Sequence, residues 1–511
     1  MKLATAAQMR EVDRHAIEDL GIPGTTLMLK AAEHIAKAAM EHVPPSGSVT
    51  VFCGTGNNGG DGIGAAAYLL EKRIPTHVYL IGDEENLTPD SKEMLKRLDA
   101  QGGSLERFSP SFDHNSPLNT CSVVIDAIFG IGLNSELRSD ALNAVSMINS
   151  SRALVISADI PSGVHADTGA ILGDAVKADI TITFSMAKPG HFVEPGCINC
   201  GELRVCDIGI PQEQIDRLDS HMYAVMPDDI HLPFRRRDTH KGDYGRTLIV
   251  AGSMGYTGAP ALSARAATKM GAGLVYLGTP KTIYDIMAVK LDEEMPFPLP
   301  DDNKGRLIAN AASEILRRAG QCDVCLIGPG LGRSEDLTEL VQSVTRIVET
   351  PMILDADGLN AIAENPDILN QVVCPLILTP HPGEFVRLGG DMTSGDRLRA
   401  SCDFASKYGC ILVLKGHRTI VAPPNGTAYV NTTGGPALAK GGSGDVLAGM
   451  IAALIAQKFP IVQAVTTAVY IHGLAGDICA KEIGEYSTTA SDIIKMLPNA
   501  MKTIVGRRGA L

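Results

Sequence analysis

One short stretch limits what this chain can fold into more than any other: Gly54-Thr55-Gly56-Asn57-Asn58-Gly59-Gly60-Asp61-Gly62. It lies between an apolar run, Val49 to Cys53, and an Ala-rich run, Gly64 to Leu70, so strand, glycine turn and helix are expected in that order. Its five glycines allow a tight turn and let backbone N–H groups approach an anion at the start of a helix. The two asparagines and the aspartate add oxygens suited to a cation or a hydroxylated ring. That mixture reads as a small-molecule site, with a phosphate as the expected anion. Gly54, Gly56 and Gly59 also satisfy the G-x-G-x-x-G spacing of a dinucleotide-binding turn, with Asp83 after the next strand. Asn57, Asn58 and Asp61 do not belong to that scheme, which wants apolar packing there, and they weigh against a nicotinamide-dependent dehydrogenase.

A chain of 511 residues exceeds a typical single domain, so two or three are expected. Sparse aromatics, no tryptophan and abundant small aliphatic residues favour α/β layers over a β-sandwich. The net charge of −13 argues against nucleic acid or an acidic membrane surface as the main partner. No apolar run is expected to reach the length of a membrane span. Met1-Lys2-Leu3 leads into a polar amphipathic segment rather than a signal core, which makes a cytoplasmic protein the expectation. The pairs Cys197-x-x-Cys200 and Cys322-x-x-Cys325 have zinc-ribbon spacing but lie far apart, and they read as buried or turn cysteines in a reducing compartment. Neither an H-E-x-x-H helix nor a G-x-S-x-G elbow is present.

Strand and helix patterns alternate in two series. The first has apolar runs at Val49–Phe52, Val78–Ile81, Val123–Ile125, Leu154–Ile156, Ile180–Phe184 and Leu203–Val205. Runs that are apolar throughout indicate a parallel sheet covered on both faces. The polar stretch 216–240, with Arg235-Arg236-Arg237-Asp238, is expected to be a junction between a domain of residues 1–215 and one of residues 241–511. The second series runs from Thr247–Ala251 through Leu274–Leu277, Val324–Ile327, Met352–Leu354, Leu376–Leu378 and Ile411–Leu414 to a hairpin-like pair, Thr419–Ala422 and Ala428–Asn431.

Ligands of such sheets bind beyond the carboxyl ends of the strands. In the first half this edge carries Asp126, then Gly130-Ile131-Gly132-Leu133, and Asp159-Ile160-Pro161-Ser162-Gly163. With Asn58, these residues offer amide, carboxylate and hydroxyl oxygens for a hard cation and leave a second carboxylate for proton transfer. An isolated aspartate at such a place is usually a cap or turn residue; several beside one glycine loop favour a site. In the second half Lys440-Gly441-Gly442-Ser443-Gly444-Asp445 opens a long apolar helix. Its amides suit a transferring phosphoryl group, and Asp445 suits the base that deprotonates a hydroxyl. Lys415-Gly416 offers a nucleotide contact, and His381-Pro382-Gly383-Glu384 a carboxylate to orient magnesium.

Together these motifs resemble the bacterial bifunctional NAD(P)H-hydrate repair enzymes over nearly the whole chain. GTGNNGGDG, Asp126–Gly132, Asp159-Ile160-Pro161-Ser162-Gly163 and Lys188-Pro189-Gly190 are similar to the NAD(P)HX epimerase domain. Gly258-Ala259-Pro260-Ala261, Gly328-Pro329-Gly330-Leu331-Gly332, Asp355-Ala356-Asp357, His381–Glu384, Lys415-Gly416 and GGSGD are similar to the ADP-dependent dehydratase. The resemblance implies a Rossmann-like three-layer domain followed by a ribokinase-like three-layer domain. It implies that the first interconverts the R and S hydrates of NAD(P)H through Asp159. The dinucleotide would be gripped by Asn57, Asn58, Gly59, Gly60 and Asp61 and by Gly130, Ile131, Gly132, Leu133, Asn134, Ser135 and Glu136. Potassium would be held by Asn58, Asp126 and Ser162. It implies that the second uses ADP and magnesium to dehydrate the S hydrate, with Asp445 as base. Ala261, Gly332 and His381 would contact the hydrate. Lys415, Gly416, His417, Arg418, Thr419 and Gly444 would contact the nucleotide. A homo-oligomer is a further expectation of the family. Two other readings stay open at this point: a ribokinase-type kinase of a small alcohol fused to an accessory domain, and a first half that binds ligand without catalysis.

Overall fold

The computed structural model describes residues 1–109 and 117–506. The chain divides into two compact units, Lys2–Met222 and Tyr223–Leu511 together with Met1. The first unit is built on β1 (Val49–Cys53), β2 (Thr76–Leu80), β3 (Leu105–Arg107), β4 (Val123–Ala127), β5 (Leu154–Ala158), β6 (Ile180–Phe184) and β7 (Glu202–Cys206). They form a sheet in the order β3-β2-β1-β4-β5-β6-β7, parallel at every junction.

Strand alternation explains the layers. Val49, Val51 and Cys53 point into one core with Leu27, Ile35, Ile63 and Leu69 from helices Gly24–Met40 and Asn57–Glu71. Phe52 and Val124 point the other way, onto Tyr79, Phe108, Val145 and Ile148. Each such side chain, removed from water, contributes about 1.5–3 kcal/mol. The strand order reverses between β1 and β4, which pair as Phe52 with Asp126 and Cys53 with Ala127. A crevice opens where neighbouring strands send their connections to opposite faces, so the loops after β1 and β4 meet there.

The second unit has β8 (Met222–Val225), β9 (Arg246–Val250), β10 (Leu274–Pro280), β11 (Met295–Leu299), β12 (Val324–Ile327), β13 (Met352–Leu354), β14 (Leu376–Leu378), β15 (Ile411–Leu414), β16 (Ile420–Ala422) and β17 (Ala428–Asn431). Its order is β11-β10-β9-β12-β13-β14-β15-β16-β17-β8. Pairing is parallel from β11 to β15 and antiparallel from β15 through β17. Reversal at β9 and β12 brings Gly252 and the Gly328–Gly332 loop together, with the Gly252 N–H donating to the Pro329 carbonyl at 2.8 Å. The stretch read as a junction thus also supplies a strand: Met222–Val225 joins the edge beside β17, and Tyr223 stacks on Tyr429 at 5.5 Å.

Helices Gly258–Lys269, Ser443–Ala456, Ile461–Glu482 and Ala490–Gly506 share the large apolar core on one face of this sheet. Ile461–Glu482 is, among the described residues, the one helix long and apolar enough to cross a membrane, contrary to the expectation that no segment would be. Its Ala464, Val465, Ala468, Ile471 and Ala475 are buried in that core, which accounts for their apolarity. Of the cysteines in the two C-x-x-C pairs, Cys197 and Cys200 are buried at a short helical turn and Cys325 is buried inside β12.

Candidate active sites

The helix after β1 begins earlier than its sequence suggests, at Asn57, with Gly56 as an extended N-cap. Asn57–Asp61 are therefore its first turn, where amides lack intrahelical acceptors. Glycines permit this start. A Cβ on Gly59 would stand 1.8 Å from the Gly54 carbonyl oxygen, and one on Gly54 would stand 2.0 Å from that of Ile128. Gly59→Ala should therefore destabilise the first unit by about 1–3 kcal/mol and abolish its activity, while the second unit's activity persists. Thermal unfolding followed alongside separate assays of the two activities checks this.

Behind this turn, the Asp126 carboxylate is fully buried and accepts hydrogen bonds from Ser157 Oγ (2.8 Å), Ser162 N (2.9 Å), Ser162 Oγ (2.5 Å) and Ile128 N (3.3 Å). Burial raises its pKa, and the Ser162, Ser157 and Ile128 bonds offset part of the rise. The Phe129 N–H donates to Ser162 Oγ at 2.9 Å, fixing the loop after β4 on the loop after β5. Asn58 faces this loop. Among the described residues, neither its Oδ1 nor its Nδ2 meets a hydrogen-bond partner, although both atoms are buried. A buried amide oxygen left open beside carboxylate and hydroxyl oxygens suits a cation of low charge density.

Asp159 follows β5 with φ of 65°, a left-handed backbone that costs about 1–2 kcal/mol in a non-glycine residue. Its Oδ1 receives the Lys188 ammonium at 2.5 Å and the Thr183 hydroxyl at 3.2 Å; its Oδ2 accepts from the Ile131 N–H at 3.3 Å. Burial alone would raise this carboxyl, but the Lys188 charge and hydrogen bond, with His191 and Thr183, hold it below the usual range. His191 Nε2 meets the Asp159 carbonyl at 2.9 Å and its Nδ1 accepts from the Lys188 N–H at 3.0 Å; burial, with the Lys188 charge, lowers the imidazole to about 4, so it is neutral. Gly130 sits between Asn58 and Asp159: a Cβ there would lie 3.0 Å from Asp159 Oδ2 and 3.2 Å from Asn58 Oδ1. Asp61 is buried on the same helix turn, its carboxyl raised well above the usual range by burial and then by Asp159 and Asp13.

Asn58, Asp61, Asp126, Gly130, Ile131, Asp159 and Ser162 are thus gathered around the β1/β4 reversal. Leu133, by contrast, packs into the hydrophobic core rather than toward this cluster, while Asn134, Ser135 and Glu136 are exposed on the loop that follows. Two further members were given no role from sequence. Lys188 follows β6 and was visible at the same strand edge that revealed Asp126. Asp13 comes from the helix Ala6–Glu18, at the boundary of its buried stripe Met9, Val12 and Ala16.

In the second unit, Gly442 caps the helix Ser443–Ala456 with φ of 94°, leaving Ser443, Gly444 and Asp445 in its first turn. Lys415, beyond β15, donates to the buried Asp355 at 2.7 Å and stands 3.9 Å from Glu384; a Cβ on Gly444 would lie 3.4 Å from its Nζ. Burial pushes Asp445 up to about 7, with Asp355 and Asp357 adding to the rise and Lys415 opposing it. Lysine and three aspartates therefore share one electrostatic site. The Gly332 N–H donates to Asp357 at 2.8 Å. A cavity of about 620 Å³ continues from these two residues past Arg333, Asn360 and Arg387.

His381 is the N-cap of the helix Pro382–Arg387: its Nδ1 accepts from Gly383 N at 3.0 Å and Glu384 N at 3.3 Å, with Nε2 left near Glu384. Arg418 donates to the Thr432 carbonyl at 2.7 Å and Thr419 to the Gly416 carbonyl at 2.9 Å, so Lys415–Thr419 form a structured turn between β15 and β16. Gly416 abuts the Arg397 guanidinium, and the His417 carbonyl accepts from Arg397 at 3.5 Å. Ala261 is buried in the first turns of the helix Gly258–Lys269, within the apolar core. Among the described residues, no three His, Cys, Asp or Glu side chains converge as a metal cage. A divalent ion here would rely on water and on phosphate oxygens, as magnesium commonly does.

The fold and these sites define a protein of two α/β units, one Rossmann-like with a charged crevice and one ribokinase-like with a helix capped by Gly442 beside a lysine and three aspartates. A family model described as NAD(P)H-hydrate dehydratase matches residues 247–499, and one described as the N-terminus of YjeF-related proteins matches residues 24–190. The bifunctional NAD(P)H-hydrate repair enzyme Nnr of Thermofilum pendens is 38% identical over 509 residues, covering 99% of this chain and 97% of that protein. That of Moorella thermoacetica is 37% identical over 515 residues, with the same coverage of each. Among solved structures, ADP/ATP-dependent NAD(P)H-hydrate dehydratase from Bacillus subtilis, co-crystallised with ATP and magnesium, is 30% identical with a TM-score of 0.46, covering 53% of this chain and 94% of that one. The chain belongs to the family of bifunctional NAD(P)H-hydrate repair enzymes.

Proposed function

We propose that the first unit interconverts the (6R) and (6S) hydrates of NAD(P)H and that the second dehydrates the (6S) form with ADP, releasing AMP and phosphate. The observation that carries the first assignment is the pairing of an ionised Asp159, held by Lys188, with the open Asn58 amide across the Gly130 gap. Asp159 moves protons at the C6 oxygen. The first-turn amides from Asn57 to Gly60 suit the dinucleotide's phosphates, and Gly130 and Ile131 flank the same crevice. Potassium, bound by Asn58 Oδ1, Asp126 and Ser162, would supply a fixed positive charge near the ligand's oxygens.

In the second unit, Asp445 takes the proton of the C6 hydroxyl as that oxygen attacks the β-phosphorus of ADP. The Gly444 and Asp445 amides and Lys415 offset the charge on the moving phosphoryl group. Phosphate then leaves C6, driven by the ring nitrogen's lone pair, and loss of a C5 proton restores the nicotinamide double bond. Lys415 to Thr419 and Gly444 hold the nucleotide, and Ala261, Gly332 and His381 border the hydrate. Asp355, Asp357 and Glu384 are the carboxylates that would hold magnesium through its waters, and the ion would supply positive charge to offset that of the phosphates.

The test supplies (6R)-NADHX, ADP, magnesium and potassium and follows the near-ultraviolet absorbance of reduced nicotinamide. Full recovery, above the spontaneous rate, is expected with stoichiometric AMP and phosphate. Conversion of the S isomer alone would remove the epimerase assignment. No conversion of either isomer would favour a kinase of a stable alcohol.

A further inference from the structure

We propose that the groove beyond Gly332 and Asp357 is the track for the hydrate's dinucleotide in the second unit, and that Arg333 and Arg387 hold its pyrophosphate. This rests on the dehydratase reading above. The hydrate carries a ring that reacts and, one ribose away, a pair of linked phosphates. Loops that border the ring are therefore followed, within a sugar's breadth, by a place for an anion.

Both loops that border the ring carry an arginine there. Arg333 directly follows Gly332 in the loop after β12, and Arg387 ends the short helix Pro382–Arg387 that His381 caps after β14. The two guanidiniums line one cavity of about 620 Å³ together with Gly332 and Asp357, and both are exposed, as an open groove requires. Arg387 is oriented by a chain of contacts. Its Nε donates to Asn360 Oδ1 at 3.1 Å, Asn360 Nδ2 donates to Asp357 Oδ1 at 3.3 Å, and Asp357 Oδ2 accepts the Gly332 N–H at 2.8 Å. Its Nη1 would stand 3.8 Å from a Cβ on Gly383, beside the His381 turn. A planar guanidinium fixed at Nε presents its terminal N–H groups as a fork, the geometry that matches phosphate oxygens.

The groove is long enough for the rest of the dinucleotide. It follows the helix Glu335–Ile347 where that packs on the helix Asp357–Ala363, and it still reaches Arg346, about 18 Å of helix axis beyond Ser334. Glu335, Glu339 and Glu364 share its walls and suit ribose hydroxyls, as carboxylates do in other dinucleotide sites. Among the described residues, none of the three forms an ion pair with Arg333 or Arg387, so both cations keep their charge for the ligand. The turn Lys415–Thr419, assigned to ADP, does not line this groove.

In the full chain with saturating ADP and magnesium, Arg333→Ala and Arg387→Ala should each raise KM for (6S)-NADHX about 10-fold or more, with kcat within about threefold. The phosphorylated hydrate, (6S)-NADPHX, shares the pyrophosphate and should lose as much. The hydrate of reduced nicotinamide riboside has no phosphate. Parent and variants should turn it over with the same kcat/KM, and the parent should use it far less efficiently than the dinucleotide. KM for ADP should not move. A KM for (6S)-NADHX within about threefold of the parent in both variants overturns the proposal. So does an equal loss on the riboside hydrate, which would mark damage to the surroundings of the ring itself. A loss confined to (6S)-NADPHX would put the 2′-phosphate at these arginines and overturn the pyrophosphate assignment. Should both variants fail to fold, the parent decides: equal efficiency on riboside and dinucleotide hydrates overturns the proposal. Failure of the underlying reading looks different, because the parent chain itself would then leave (6S)-NADHX unconsumed in the presence of ADP, and the proposal would fall with it.

Discussion

Replacing Asp445 with Asn should abolish ADP-dependent dehydration and at the same time make the ligand-free second unit more stable. Both effects have one cause. Burial and two neighbouring aspartates raise this carboxyl to about 7, so ionising it in the folded chain is unfavourable. The folded state therefore binds a proton that the unfolded state has released between roughly pH 4 and 7, and stability declines as pH rises through that window. Above it the full cost is present, on the order of 2–4 kcal/mol from about 1.4 kcal/mol per unit. Asn removes the charge and keeps the shape. It also removes the base, whose loss costs about 10²–10⁴ in rate. For the parent enzyme, kcat for dehydration should fall as pH drops below about 7. The measurement is a denaturant titration of both chains at pH 8 with (6S)-NADHX turnover alongside. An Asn chain no more stable than the parent would count against a strained base at this position.

Lys188→Met should have the opposite effect on stability. The ammonium is buried against Asp159 at 2.5 Å with Thr183 as its other contact at 2.8 Å. Removing one partner of a buried ion pair leaves the other charge unpaired and typically costs about 3–5 kcal/mol. Asp159 is held low in the native chain, so its contribution to stability is present above the unfolded value and is lost as pH falls through the lowered one. Without Lys188, burial dominates and the carboxyl rises. Epimerisation should then fail at neutral pH and recover in part under alkaline conditions, where Asp159 is again ionised. Unfolding of the first unit and the pH profile of (6R)-NADHX conversion are the observables. An unchanged profile would remove Lys188 from any role in setting the protonation of Asp159.

What the sequence made legible follows from where chain neighbours suffice. Asp126 lies near the end of a strand, and Asp159, Ser162, Lys415 and Asp445 each follow a strand or open a helix, so a period and a turn motif place them at the ligand-binding edge. The strand Val49–Cys53 was found to its last residue, because a run buried on both faces is apolar throughout. The start of the next helix was misplaced by several residues, since glycines and asparagines look like loop even when tertiary packing admits them to a first turn. Asp13 escaped because its helix is polar on most of its surface and two of its partners, Asp159 and Lys188, lie more than a hundred residues away. Met222–Val225 escaped for a related reason: a short edge strand in a charged stretch gains its order from β17, which sequence proximity does not reveal.

The gap at Gly130 has a consequence for what the first unit can accept. The missing side chain leaves room for about one small group between an amide and a carboxylate, with a single added carbon already at 3.0–3.2 Å from both. A gap of that width acts as a gauge. Under the epimerase reading proposed above, a hydroxyl or the water that replaces it is the largest substituent expected to fit between the two groups without one of them moving.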